Sequence, residues 1–136
     1  TTQGGLVWEV DSGLWIPLQS GQNNKIYCLS FSSDNSKLAA GSNNVIFVWE
    51  LPSGILLHEF RGEFGIVNGV DFSPTNDLLV SGSNNSEVLI WDVDTGKKIK
   101  SLTNHISAVF NVRFSPDGQF IASGANEGFI RLWGLP

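Results

Sequence analysis

Four tryptophans recur at a nearly constant interval: Trp8, Trp49, Trp91 and Trp133 are separated by 41, 42 and 42 residues. Each closes an apolar run (GLVW, VIFVW, EVLIW, FIRLW), and the first three are followed five residues later by a glycine, at Gly13, Gly54 and Gly96. A second series lies between them. IYCLSFSSDNSKLAAGS, VNGVDFSPTNDLLVSGS and VFNVRFSPDGQFIASGA align without gaps, so that Phe31, Phe72 and Phe114 coincide, as do Ser32, Ser73 and Ser115, and Gly41, Gly82 and Gly124. One residue is missing after Ser42, where Asn43-Asn44 replaces the longer Asn84-Asn85-Ser86 and Asn126-Glu127-Gly128. A period near 42 restricts the chain to one supersecondary unit copied in series.

The unit is built of strands. Its apolar runs are short, rich in Val, Ile, Phe and Trp, and bounded by Ser, Asn, Asp, Gly and Pro clusters. No window sustains a 3.6-residue period, so almost no helix is expected. The runs before each tryptophan are apolar on both faces, which is how a strand reads when its sheet is covered on both sides, here by neighbouring repeats. Nine Phe and five Trp supply the core. Each buried aromatic is worth about 4–6 kcal/mol before entropy is counted, from roughly 150–250 Å² at about 25 cal/mol per Å². A disordered chain is therefore excluded.

Charge and cysteine content narrow the function. The net charge of −5 and the pI near 4.8, with eight scattered Lys and Arg, do not make the basic face that phosphate-backbone binding needs. Cys28 is the single cysteine, so no intramolecular disulfide forms, and with two distant histidines it gives no metal-ligand spacing. No apolar run is long enough for a transmembrane helix, and no signal peptide is visible. Neither nucleic acid nor membrane is expected as a partner, and no cofactor is expected. No Gly-rich phosphate cradle, nucleophile motif or framed carboxylate pair is present, so the chain does not read as an enzyme.

In SAVFNVRFSPDGQFIASGANEGFIRLWG (107 to 134) and VNGVDFSPTNDLLVSGSNNSEVLIWDVDTG (67 to 96) the sequence resembles the WD-repeat β-propeller family, and the resemblance covers essentially the whole chain. It implies an all-β fold of four-stranded antiparallel blades, about three per chain, each with three inner strands a, b and c and an outer strand d. Strand a would lie at about 26–31, 67–72 and 109–114, and strand b at about 37–41, 78–82 and 120–124. Strand c would lie at about 5–10, 45–50, 87–92 and 129–134, and strand d at about 14–18, 55–60 and 97–102, thirteen strands in all. The single domain then divides into a partial blade (1–20), two blades (21–60 and 61–102) and the three inner strands of a last blade (103–136). Trp8, Trp49, Trp91 and Trp133 would wedge between sheets. Asp92 through Gly96 would turn the chain outward, the glycine permitting φ > 0. Lys97, Lys98 and Lys100 would then lie on a wet outer edge.

The family's buried polar relay runs from a His before strand a, through a Ser or Thr in strand b and an Asp in the b–c turn, to the Trp. By position the last blade offers His105, Ser123, Glu127 and Trp133, with Glu in place of Asp. The preceding blade offers Glu63, Ser81, Asn85 and Trp91, and the first complete one Gln22, Ala40, Asn43 and Trp49. A catalytic reading of His105, Ser123 and Glu127 is set aside in favour of a structural hydrogen-bond network.

A propeller must close, commonly with four to eight blades. Two solutions are open: two copies forming a six-bladed ring in which 14–18 of one chain completes the last blade of the other, or a longer propeller of which this chain is the C-terminal part; the second is preferred. Propellers of this kind serve as rigid, non-catalytic platforms for a protein or peptide, because stiff stacked sheets present many loops. Family contact positions fall on Asn23, Lys25, Phe64, Ile66, Ile106 and Ala108 before strand a, and on Ser42, Asn84 and Asn126 in the b–c turns. Phe64, Ile66 and Ile106 would form an apolar group with a polar rim, suited to a peptide hot spot. Only three arginines are present, Arg61, Arg113 and Arg131, which disfavours phosphopeptide reading. A sugar-binding propeller is the alternative, but it would have only Trp15 free to stack. A regulatory propeller attached to an enzyme is a further one. The unpaired thiol fits a cytoplasmic setting.

Overall fold

The computed structural model describes residues 5–19 and 24–136. Within them the chain is all-β, with twelve strands in antiparallel pairs and no helix. A partial first blade consists of β1 (Leu6–Trp8) and β2 (Trp15–Pro17). The second blade is β3 (Cys28–Phe31), β4 (Lys37–Gly41), β5 (Asn43–Glu50) and the first half of β6 (Leu56–Phe72). The second half of β6, with β7 (Leu78–Ser83), β8 (Glu87–Asp92) and β9 (Lys97–Thr103), makes the third. The fourth has three strands, β10 (Val109–Phe114), β11 (Phe120–Ala125) and β12 (Ile130–Gly134).

The expected outer strand at 55–60 and inner strand at 67–72 are one continuous strand, which reduces thirteen to twelve. β6 pairs with β5 from Leu56 to Arg61 and with β7 from Val67 to Phe72, so it crosses from one blade to the next without leaving extended geometry. Gly65, at φ 70°, donates its N–H to Asn44 Oδ1 at 2.7 Å, and Ile66 still pairs with Asn43. At the equivalent corner between β9 and β10 the chain leaves the sheet, and His105 is buried there.

The turns follow the sequence. Gly13, Gly54 and Gly96 all have φ near 70°, the left-handed region that a β-carbon disfavours. Asp92 Oδ1 accepts the N–H groups of Asp94 (2.9 Å) and Thr95 (2.8 Å), and the Thr95 bond foremost holds its carboxyl below the usual range. The acid after the tryptophan thus caps the corner into β9, whose Lys97, Lys98 and Lys100 are exposed.

The core lies between blades. One cluster joins Ala39, Ile46, Val48 and Phe60 of the second blade to Val70, Phe72, Leu89 and Trp91 of the third. Another joins Val80, Val88, Ile90 and Leu102 of the third to Val112, Phe114 and Ile121 of the fourth. The backbones approach closely: a Cβ on Gly41 would sit 2.7 Å from Val67 Cγ1, and one on Gly82 would sit 2.6 Å from Val109 Cγ1. At Gly124, the corresponding position of the fourth blade, nothing lies within 4 Å. Trp49 and Trp91 are buried as expected, each against the preceding blade, Trp133 is half-buried, and Trp8 is 62% exposed. Its wedge role fails among the described residues because no blade precedes it there.

Candidate loop-face binding site

Each b–c turn is latched to the residue that enters strand a. Asn84 donates its N–H to the Ile66 carbonyl at 3.0 Å, Asn126 to that of Ala108 at 3.0 Å, and Ser42 donates its hydroxyl to that of Lys25 at 2.7 Å. The structure thus brings Lys25 to Ser42, Ile66 to Asn84 and Ala108 to Asn126. Lys25, Asn84, Asn126 and Ile106 are exposed, Ile106 at 83%, while Ile66 and Ala108 are half-buried. Asn23 and Gln22 lie outside the described residues.

Phe64 departs from expectation. It is buried, with its ring edge-on to Trp91 at a centroid distance of 6.1 Å and 70°. Phe60 stacks on the same indole at 4.8 Å. The apolar group of Phe64, Ile66 and Ile106 therefore does not form on the surface. In the fourth blade His105 stands edge-on to Trp133 at 6.4 Å and 66°, so Phe64 occupies the place that the gapless alignment assigned to Glu63. Glu63 is exposed. The continuous β6 shifts the inward position by one residue.

The relay of the fourth blade is complete. Trp133 Nε1 donates to Ser123 Oγ at 2.9 Å, and Ser123 Oγ meets His105 Nε2 at 2.8 Å. Indole nitrogen is a donor only, so Ser123 accepts from Trp133, and a carboxylate oxygen is an acceptor only, so Nδ1 of His105 donates to Glu127 Oε1. Ser107 donates its hydroxyl to Glu127 Oε2, and the Glu127 N–H returns a bond to Ser107 Oγ at 2.8 Å. The Ser107 bond foremost, opposed by burial and aided by His105, takes the Glu127 carboxyl from its ordinary 4.5 down to about 2. His105 and Ser123 are buried, and Ser123 Oγ is shared between Trp133 and His105, so the four side chains form one hydrogen-bond network inside the blade. In the third blade Trp91 Nε1 keeps its bond to Ser81 Oγ at 2.9 Å. In the second, where Ala40 replaces the serine, Trp49 Nε1 donates to the Gln19 carbonyl at 2.6 Å.

Three polar residues not singled out in the sequence also tie neighbouring elements together. Asn68 Nδ2 bridges Asn84 Oδ1 (2.8 Å) and the Val109 carbonyl (2.9 Å). Asp71 accepts the Phe114 N–H at 2.8 Å and Ser30 Oγ at 3.3 Å, with Arg113 at 3.4 Å. Ser107 completes the relay. The signal for Asp71 was available: Ser30, Asp71 and Arg113 share one repeat position, polar between two apolar neighbours. Cys28, half-buried with its thiol pushed up to about 11 by burial, donates to the Val67 carbonyl at 3.4 Å and is a packing residue.

A model of the family described as WD domain, G-beta repeat, matches residues 15–50, 54–92 and 96–134. No curated protein gives a match alongside it. Proteins of these repeats are generally non-catalytic scaffolds that bind other proteins. Three consecutive repeats, each running from the outer strand of one blade through the three inner strands of the next, make this chain a member of the WD40 repeat family.

Proposed function

We propose that this chain is a non-catalytic platform that captures a protein or peptide on the edge carrying the latched turns. Ile106, Ala108 and Asn126 form one part of the contact, and Ile66, Asn84 and Lys25 continue it. The observation that carries the reading is Ile106: a bare aliphatic side chain, 83% exposed, stands next to a relay that immobilises the chain beneath it. An apolar anchor held rigid by satisfied polar neighbours is what a recognition hot spot requires. Peptide-display selection against the whole chain tests this. Selected ligands should lose at least tenfold in affinity against Ile106→Asp, with the unfolding midpoint unchanged. Ligands indifferent to that variant would sink the reading.

The same chain is read as part of a longer propeller. β1 and β2 already cover the outer half of the second blade: Leu18 is buried among Leu38, Ala40, Val45 and Trp49. A six-bladed ring of two copies would need a partner's β12 in the seat of β1. The inner half of that face, Leu29 and Phe31, is exposed and awaits inner strands for the first blade. Trp8 and Trp15 are both exposed, yet Trp49 and Trp91 in the seat of Trp8 are buried by a preceding blade, which favours a missing neighbour over a sugar platform. The inert thiol of Cys28 accords with a reducing, cytoplasmic setting.

A further inference from the structure

A cavity of about 200 Å³ lies over the indole of Trp91, between the second and third blades, both of which have all four strands. Its cause is the corner in β6. The register passes from Arg61 opposite Val45 to Ile66 opposite Asn43, so residues 62 to 65 bulge out against Asn44. Gly62 has no side chain to fill the space this opens, and a Cβ there would stand 2.5 Å from Phe64 Cε1. Phe64, Leu89 and Trp91, all buried, form an apolar floor.

The polar wall follows from the loss of the relay in this blade. Where His105 bonds to Glu127, Phe64 has no polar atom to offer Asn85, and Asn85 Nδ2 donates to Glu87 Oε2 at 2.8 Å instead. Glu87 is half-buried, and neither it nor Glu63 forms an ion pair among the described residues. Two cations also line the cavity. Arg61 is already held, donating Nε (2.9 Å) and Nη2 to Glu59 Oε2. Lys98 sits opposite Trp91, at the other end of β8 from Glu87. The end beside the 62–65 corner therefore carries two carboxylates without a cation. The volume admits one side chain, since sites for drug-sized ligands run to about 300–1,000 Å³. An apolar guest would desolvate Glu87 without a partner, and an acidic one would meet like charge. A long basic side chain suits both surfaces, with its methylenes on the aromatic floor and its charge at the carboxylates. We propose that this cavity is a docking site for one arginine or lysine side chain of a partner segment, with Glu63 and Glu87 as its counter-charges. The net charge of −5 draws a basic segment toward the chain. The site belongs to a different corner from Ile106 and does not depend on the platform reading.

The test is an NMR titration of the whole isotope-labelled chain with three capped pentapeptides, Gly-Gly-Arg-Gly-Gly and its counterparts with norleucine or glutamate in the centre. The arginine peptide should saturably shift the Trp91 indole N–H and the amides of residues 62 to 65. It should bind about tenfold more tightly than the norleucine peptide, as expected for a charge-assisted contact, and the glutamate peptide should bind more weakly still. Glu87→Gln and the surface variant Glu63→Gln should each weaken the arginine peptide, and the double variant should remove its advantage over norleucine. Asp11→Asn, in the first blade, changes the net charge as much as either single variant and should leave the preference intact, as should Ile106→Asp. Equal binding of the arginine and norleucine peptides, tighter binding of the glutamate peptide through Lys98, no binding, shifts confined to other residues, or a preference that survives the double variant would each overturn the proposal.

Discussion

The third and fourth blades carry nearly the same sequence and meet different fates. In the third, both faces are covered: Val80, Val88 and Ile90 are buried under the next blade and Leu89 and Trp91 under the previous one. In the fourth, the residues that correspond to Val88 and Ile90 are Ile130 and Leu132, exposed at 82% and 67%. The difference shows where the stability of a repeat resides. Each blade pairs its own strands, while its apolar side chains depend on a neighbour for burial. The two blades also fill the space beside the tryptophan differently. Phe64 and Phe60 make an apolar stack on Trp91, whereas His105, Ser123 and Glu127 make a polar chain beside Trp133. The first gains from area alone. The second also ties the 126–128 turn to the core, at the cost of a pH dependence.

The largest effect should come from breaking the apolar version. Phe64→Ala removes a fully packed ring and leaves Trp91 with one aromatic neighbour, a loss of about 3–5 kcal/mol. Urea unfolding followed by tryptophan fluorescence measures it. If Phe64 were a surface contact, the midpoint would not move.

Most of this architecture was legible beforehand. The Trp-to-Trp period and the glycine at the end of each corner located the strands and the positive-φ turns, because both arise from local chemistry repeated along the chain. The relay of His105, Ser123, Glu127 and Trp133 was legible too, since three members match in residue type and position and Glu127 supplies an acid in place of Asp. Phe64 was not. Its inward direction depends on β6 remaining extended from Leu56 to Phe72, and that is set by pairing with two different blades at once. A period-2 element that gains or loses one residue turns every side chain to the other face, and gapless alignment cannot see it. Exposure of Trp8 and Ile130 was equally hidden, because it depends on which neighbours are present and not on the repeat itself.

A milder perturbation separates covered from open faces directly. Gly82→Ala places a methyl within 2.6 Å of Val109 Cγ1 and 2.9 Å of Val112 Cγ1, so the blades must part, at about 1–3 kcal/mol. Gly124→Ala, at the same position one repeat later, meets nothing within 4 Å and has no positive φ to strain. Its stability should match the native chain to within about 0.5 kcal/mol. Equal losses in the two variants, read from thermal midpoints, would mean that strand propensity and not blade contact sets the cost.

The smallest effect distinguishes the polar ring from the apolar one. Glu127 has its carboxyl depressed from 4.5 to about 2 by Ser107 and His105, so the folded state favours the ionised form more than the unfolded chain does. Its contribution is therefore fully present above about pH 5 and is lost as the pH falls from there through 2. Asp34, Asp92 and Asp117 are depressed too, by turn hydrogen bonds, and add their own acid loss in every variant. The informative quantity is thus a difference. Between pH 5 and 2 the melting temperature of the native chain should fall more than that of Glu127→Gln, and the two curves should converge at the acid end. In the third blade the indole of Trp91 is held by the uncharged Ser81, so Ser81→Ala should lower the profile without altering its shape. A native profile parallel to that of Glu127→Gln would mean that the carboxylate beside His105 is solvated in solution, and that neither blade adds a charged contact to the hold on its tryptophan.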